Sequence, residues 1–121
     1  MQDIIDINAF KTIIREFVNE RDWDQYQNPK NLAMALTVEA AELLEIFQWL
    51  SPEEAQNAKH HPETKTKISH EIADIFFYLI RVADKTNINL QNAIIEKMQL
   101  NAQKYPVEVV KGSSKKYNEH Q

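Results

Sequence analysis

Apolar residues recur along this chain at the spacing of helices rather than of strands. Phe10, Ile13, Ile14, Phe17 and Val18 follow one another at steps of three and four, which places them on one helical face. The pattern fades at Arg21 and Asp22. The stretch WDQYQNPK (23–30) mixes a proline, an asparagine and aromatics, and reads as a loop. Alanine and leucine, both strong helix formers, then dominate from about residue 31 to residue 50. Ser51-Pro52-Glu53-Glu54 restarts the chain, with serine as N-cap, proline at the first helical position and glutamate three residues after the cap. The short helix so begun ends near His60-His61-Pro62. A long helix follows over about residues 63–86, where Ile68, Ile72, Ile75, Phe76, Leu79 and Val82 keep the helical period. Asn87 to Asn89 interrupt it. Asn89 can cap a further helix over about residues 90–105, with Ala93, Ile94 and Met98 expected to face inward. Pro106 stops that helix. The tail after it carries Gly112, Ser113, Ser114, Lys115 and Lys116, and reads as extended or as ordered on assembly.

This pattern predicts an all-α fold, a four-helix-bundle-like subunit with one extra short helix. Composition agrees. The chain has 121 residues, enough for one domain over 1–121 with a C-terminal tail from about 106. It has one glycine and four prolines, too few for the many turns of a sandwich or barrel. Four helices of this size make a thin core. The long helix is apolar over more than one stripe, through Ile75, Phe76, Phe77, Leu79 and Ile80, and a second apolar face needs a second partner. A homo-oligomer is therefore expected; the alternative is a monomer whose other helices wrap the long one.

Charge narrows the function. Fourteen basic residues against eighteen acidic ones give −4, which offers no general basic surface for nucleic acid. Cysteine is absent, so disulfides, thiolate metal sites and cysteine nucleophiles are excluded. No apolar run approaches the roughly 20 residues of a membrane span. The first residues lack the basic region and apolar run of a secretory signal, so a cytoplasmic location is expected.

Two sets of carboxylates stand in apolar settings. In HEIADIFFYLI (70–80), Glu71 and Asp74 are three apart and share a helical face flanked by Ile72 and Ile75. Aspartate is a poor mid-helix residue and charge is costly to bury, so something must offset that cost. In TVEAAELL (37–44), Glu39 and Glu42 repeat the arrangement, and Glu45 continues the face one turn later. Two such helices facing each other would crowd four carboxylates, which would take up protons unless cations intervene. An all-oxygen site suits Mg²⁺, with Mn²⁺ as a substitute. Without these four acids, the acidic residues would equal the fourteen basic ones. Each motif alone is common on solvated helix faces. A di-iron bundle would want a histidine three after a glutamate on two helices, and this chain has none. His70, four before Asp74, reads as a surface or supporting residue.

Glu39-Ala-Ala-Glu42, a gap of 28 residues and Glu71-Ile-Ala-Asp74 resemble the signature of the MazG-like all-α nucleoside triphosphate pyrophosphohydrolases. Further stretches are similar to the dCTP pyrophosphatase-like branch: RDWDQYQNPKNL (21–32), ELLEIFQW (42–49), EKM (96–98), KYPV (104–107) and KGSSKKY (111–117). The resemblance implies Mg²⁺ held by Glu39, Glu42, Glu71 and Asp74, and cleavage of a nucleoside triphosphate to the monophosphate and pyrophosphate. It implies a homotetramer built as a dimer of dimers. It implies a base pocket drawing on Trp23, Trp49 and Tyr78, with Lys97, Asn101, Lys104 and Tyr105 meeting the phosphates. Ile14 and Gln27 stand where the animal dCTP enzymes have histidines, which puts the base preference in question.

Read physically, Mg²⁺ neutralises triphosphate oxygens and stabilises the leaving pyrophosphate. Glu39, Glu42 and Glu45 are the candidate catalytic carboxylates; Glu39 and Glu45 both remain candidates for the general base. Lys97, Asn101 and Lys104 share one face of their helix, which suits phosphates but is equally an ordinary solvated face. Trp23 and Trp49 offer flat faces for a base, or pack at a loop or interface. Tyr78 lies four after Asp74 on the carboxylate side, or is a core tyrosine. Residues 111–116 close over phosphates or form a solvated tail. Three functions remain in view: a dNTP pyrophosphohydrolase acting on dCTP or a related or modified dNTP, another Mg²⁺ phosphohydrolase directed at dUTP or a phosphoribosyl nucleotide, and a non-enzymatic helical oligomerisation or regulatory nucleotide-binding module.

Overall fold

The computed structural model describes residues 5–113, and among them every regular element is helical. The described residues divide into two compact units, one ending at Ile88 and the other beginning at Asn89.

The first unit opens with α1, Ile7–Glu20, whose N-terminus is capped by the Asp6 carboxylate accepting from the Ala9 N–H at 3.0 Å. Asp22 then takes a positive φ of 55° and turns the chain. The expected loop contains a 3₁₀ turn at Asp24–Tyr26. The next helix, α2 (Pro29–Phe47), begins two residues earlier than the composition indicates. Its cap is Asn28, accepting from the Asn31 N–H at 2.9 Å, with Pro29 in the first turn, where a missing N–H costs nothing. The helix also stops at Phe47 rather than at residue 50, so Trp49 sits in a turn.

The expected capping box is present. Ser51 Oγ accepts from the Glu54 N–H at 3.1 Å, and Glu54 Oε1 accepts from the Ser51 N–H at 3.0 Å. It opens the short α3 (Pro52–Gln56), followed by a 3₁₀ turn at Ala58–His60. Pro62 then starts the long α4 (Pro62–Lys85), which ends at Thr86 and a left-handed Asn87, φ 56°.

α4 packs most extensively on α2 and also on α1. Val18 on α1 and Ile80 on α4 are fully buried, with Ile14 beside them and Phe76 and Phe77 against them. Edge-to-face rings extend this contact: Phe10 on Phe76 at 6.2 Å, and Phe17 on Phe77 at 6.1 Å. Full burial of side chains such as Val18 and Ile80 contributes about 1.5–3 kcal/mol each. Beyond Leu32 and Ala58, few other apolar side chains are buried. Met34, Val38 and Leu44 on α2, and Ile72 and Leu79 on α4, remain exposed.

The second unit contains α5 (Leu90–Lys104), capped by Asn89, which accepts from the Asn92 N–H at 3.0 Å. Pro106 ends it as expected, but the tail is not simply extended: Val107–Val110 form one further short helix, α6. Valine's preference for strand is overridden there by the turn that Pro106 starts, whose carbonyl accepts from the Val109 and Val110 N–H groups. Ala93 is half-buried, whereas Ile94 and Met98, both expected inward, are exposed in the single chain.

Candidate functional site

The carboxylates that the sequence pairs along each helix meet across two helices. Glu39 and Glu42 are one turn apart on α2, and Glu71 is on α4, the helix against which α2 packs. One oxygen from each of these three side chains lies within 4.8 Å of the others. Three carboxylates that converge this closely could hold a divalent cation between them.

The electrostatics of the cluster suit a cation. Glu39 Oε2 and Glu71 Oε2 are both buried and neither meets a hydrogen-bond donor. Buried acceptors left without partners are costly and rare. The Glu39 carboxyl is pushed up to about 7, first by burial, then by hydrogen bonding with Glu42 and Glu71, and by the charges of Glu42 and Asp74. With only carboxylate oxygens to offer, the set would suit a hard cation rather than a soft one.

Asp74 does not join the converging three, but it is near enough for its charge to raise both Glu39 and the Tyr78 hydroxyl. Burial is the larger cause at Tyr78. Glu45 is exposed and outside the set. His70 is exposed.

The aromatics divide. Trp23 follows directly on the Asp22 turn, where its N–H donates to the Val18 carbonyl at 3.1 Å, and its ring stands edge-to-face on Phe17 at 5.8 Å. It is 44% exposed. Trp49 is 87% exposed and has no ring contact among the described residues. Tyr78 is half-buried against Phe77 at 5.1 Å. In the second unit, Lys97 and Lys104 are exposed and Asn101 and Tyr105 are half-buried. Of the terminal KGSSKKY stretch, only Lys111, Gly112 and Ser113 fall within the described residues.

One buried charged residue lies outside the set of candidates read from the sequence. Arg81 interrupts the apolar run of α4 and is only 3% exposed. Its Nε donates to Gln27 Oε1 at 2.8 Å and its Nη2 to Asp24 Oδ1 at 2.9 Å. Asp84 Oδ2 lies 3.5 Å from Nη1. Asp84 in turn is gripped at both oxygens by Arg15 of α1, through Nε at 2.7 Å and through Nη2. That pairing holds the Asp84 carboxyl below its usual range. The available signal was spacing: Arg81 lies seven residues, two turns, after Asp74 on the same face. Both departures from the dCTP branch also find structural roles, since Ile14 is in the core and Gln27 is a partner of Arg81.

Comparisons with known proteins identify the family. The family model for the MazG-like family matches residues 34–119. The dCTP pyrophosphatase 1 of Rattus norvegicus is 39% identical over 104 residues, and that of Homo sapiens is 36% identical over 104 residues. Each match takes in 86% of this chain, and the chain spans 61% of the length of those relatives. A crystal structure of a pyrophosphatase from Archaeoglobus fulgidus superimposes with a TM-score of 0.78 at 38% identity, covering 88% of this chain and 97% of that one. The matched segment takes in Glu39, Glu42, Glu71 and Asp74, and the chain belongs to the MazG-like family.

Proposed function

We propose that this protein is a Mg²⁺-dependent nucleotide pyrophosphohydrolase that cleaves a dNTP, with dCTP or a related or modified dNTP as the favoured class, to dNMP and pyrophosphate. The observation that carries the reading is the convergence of Glu39, Glu42 and Glu71, with two buried oxygens lacking donors. The relatives named dCTP pyrophosphatase 1 and the similarity to an archaeal pyrophosphatase support it.

In this reading Glu39, Glu42, Glu71 and Asp74 hold Mg²⁺. The bound ion neutralises phosphate oxygens and stabilises the leaving group. A water oxygen adds to the α-phosphorus, the bond to the α–β bridging oxygen breaks, and pyrophosphate departs. The water's proton passes to a carboxylate. Glu39 suits that role better than Glu45, because it belongs to the converging cluster whereas Glu45 is exposed and outside it. Tyr78, half-buried and within range of the Glu39 and Asp74 charges, offers a hydroxyl donor beside the carboxylates. Trp23 and Trp49 offer flat faces to a base. The α5 face with Lys97, Asn101 and Lys104, followed by Tyr105, offers cations and polar groups suited to phosphate oxygens.

The subunit would be a single four-helix-bundle-like domain that assembles as a homotetramer in the cytoplasm. The exposed apolar side chains of α2 and α4 support assembly, since monomers rarely leave such faces open.

Pyrophosphate release from a panel of dNTPs, NTPs and modified dCTPs, with and without Mg²⁺, tests the reading. Metal-dependent release favouring a few dNTPs is expected. Free phosphate as product would point to another phosphohydrolase. A folded chain that splits no nucleotide would leave a helical oligomerisation or regulatory module.

A further inference from the structure

We propose that Arg81 is a positioning residue for the nucleoside end of the substrate, fixing through Asp24 and Gln27 the loop from Trp23 to Gln27 against which the base packs. The inference rests on the pyrophosphohydrolase reading above. It begins from an oddity of the core. A guanidinium only 3% exposed sits one residue after Ile80, which is itself among the most buried side chains. Burying that charge costs several kcal/mol unless it is paired and hydrogen-bonded. A fully apolar residue would pack α4 more simply.

The partners of Arg81 say what the charge accomplishes. Two are on the loop: Gln27 Oε1 at 2.8 Å and Asp24 Oδ1 at 2.9 Å. Lys85 Nζ, one turn further along α4, takes the same Asp24 oxygen at 2.7 Å. The loop's sole covalent routes to the core are α1 and α2, and its backbone bonds are mostly local, as from the Tyr26 N–H to the Trp23 carbonyl at 2.9 Å. The side-chain bonds from α4 are what tie it laterally to that helix.

Placement gives the tie a function. Along α4 the residues Glu71, Asp74, Tyr78 and Arg81 form one stripe, since offsets of three, seven and ten return to nearly the same face. Seven residues from Asp74 to Arg81 are about 10.5 Å of helix. A nucleotide with its phosphates at the carboxylates extends its sugar and base away from them. At the Arg81 end of the stripe stands a loop whose Trp23 and Tyr26 rings are 44% and 66% exposed. Such faces bind a base best when they are held still, and Arg81, bonded to both Asp24 and Gln27, shares that hold with Lys85 on Asp24. A lysine in its place would lack the rigid planar fork that meets Gln27 from one nitrogen and Asp24 from another.

The test is Arg81→Met in the full chain, with pyrophosphate release measured at saturating Mg²⁺ over the four dNTPs. KM for the best dNTP should rise about ten-fold or more while kcat stays within about three-fold, with the spread of kcat/KM among bases compressed. In a Trp49→Phe background used for fluorescence alone, acrylamide quenching of Trp23 should increase. Asp24→Ala combined with Gln27→Ala cuts the same bonds from the loop side, and it should reproduce both effects if Arg81→Met does not fold. Unchanged Trp23 quenching would show that Arg81 does not hold the loop. Unchanged KM, or a kcat loss at unchanged KM, would show that the loop does not meet the base. Either result overturns the proposal while leaving the hydrolase reading intact. A wild-type chain inactive on every nucleotide overturns the reading itself.

Discussion

Glu39 on α2 and Glu71 on α4 approach each other across the helix pair, and each keeps one buried carboxylate oxygen without a donor. The two helices are thus held together at a point where their charges push them apart. Glu39→Gln and Glu71→Gln separate function from stability at that point. Each should lower pyrophosphate release by about a hundred-fold or more, as expected for loss of a group acting in the transition state. Neither should destabilise the chain without metal. A carboxyl raised from 4.5 to about 7 corresponds to roughly 3 kcal/mol at full value. With solvent screening, about 1 kcal/mol of added stability is expected for Glu39→Gln at pH 8. Thermal melts in EDTA check this, and a melting point lowered by several degrees would contradict the charge-crowding account.

The same crowding sets a pH dependence. Glu39 binds its proton more tightly folded than unfolded, so the folded state holds the extra proton between about pH 4.5 and 7. Stability without metal should therefore fall as pH rises through that window. Mg²⁺ should reverse the trend above pH 7, raising the melting point with metal concentration and releasing protons on binding. Melts from pH 5 to 9 with EDTA or with Mg²⁺ make the measurement. In Glu39→Gln the EDTA curve should be flatter over the window. An EDTA profile identical to wild type would assign the slope to other groups.

Much of this arrangement is legible in the sequence, and the failures have physical causes. Ser51 and Glu54 announce a helix start because both halves of a capping box are local. Glu39, Glu42 and Glu71 stand out because acids among Ala, Val and Ile violate the binary pattern. Pro29 misled the reading of the loop, since a proline is equally a breaker and a first-turn residue; the Asn28 cap decides between them. The helix of Val107–Val110 was invisible because four residues carry no period. Arg81 does not stand out in the sequence because its partners, Asp24 and Gln27, are more than 50 residues away. Which oxygens converge is a question of side-chain rotation, and so Asp74 and Glu45 could not be sorted from Glu39 by spacing.

Asp84 ties the two helices of the core from the other side. It meets Arg15 of α1 and Arg81 of its own helix, with its side chain only 9% exposed. Asp84→Asn keeps the shape and removes the charge that balances a buried guanidinium. A loss of about 2–4 kcal/mol is expected. The Asp84 carboxyl is held low chiefly by the Arg15 hydrogen bond, so its contribution is present above the unfolded value of 3.8 and lost as pH falls through the lower folded one. Urea unfolding at pH 7 should show the difference between wild type and Asp84→Asn, and at pH 2 the two should converge. Equal stabilities at pH 7 would mean that Arg81 is balanced by Asp24 alone.

The apolar side chains left open on α2 and α4 make the last prediction. Val38 and Ile72 are 55% and 54% exposed, and they flank Glu39 and Glu71 in sequence. Their exposure in one chain is explained if a second copy covers them, and that copy would also exclude water from the carboxylates beside them. Charge introduced there should act on assembly first. Ile72→Lys buries an ammonium group in the proposed contact at a cost of several kcal/mol, which is enough to dissociate a dimer at micromolar concentration. Light scattering after size exclusion should show the wild type as a multimer, with the tetramer expected, and Ile72→Lys as a smaller species. Turnover should fall with the assembly and recover in part at high protein concentration. A wild-type chain that runs as a monomer at all concentrations would rule out this role for the exposed faces.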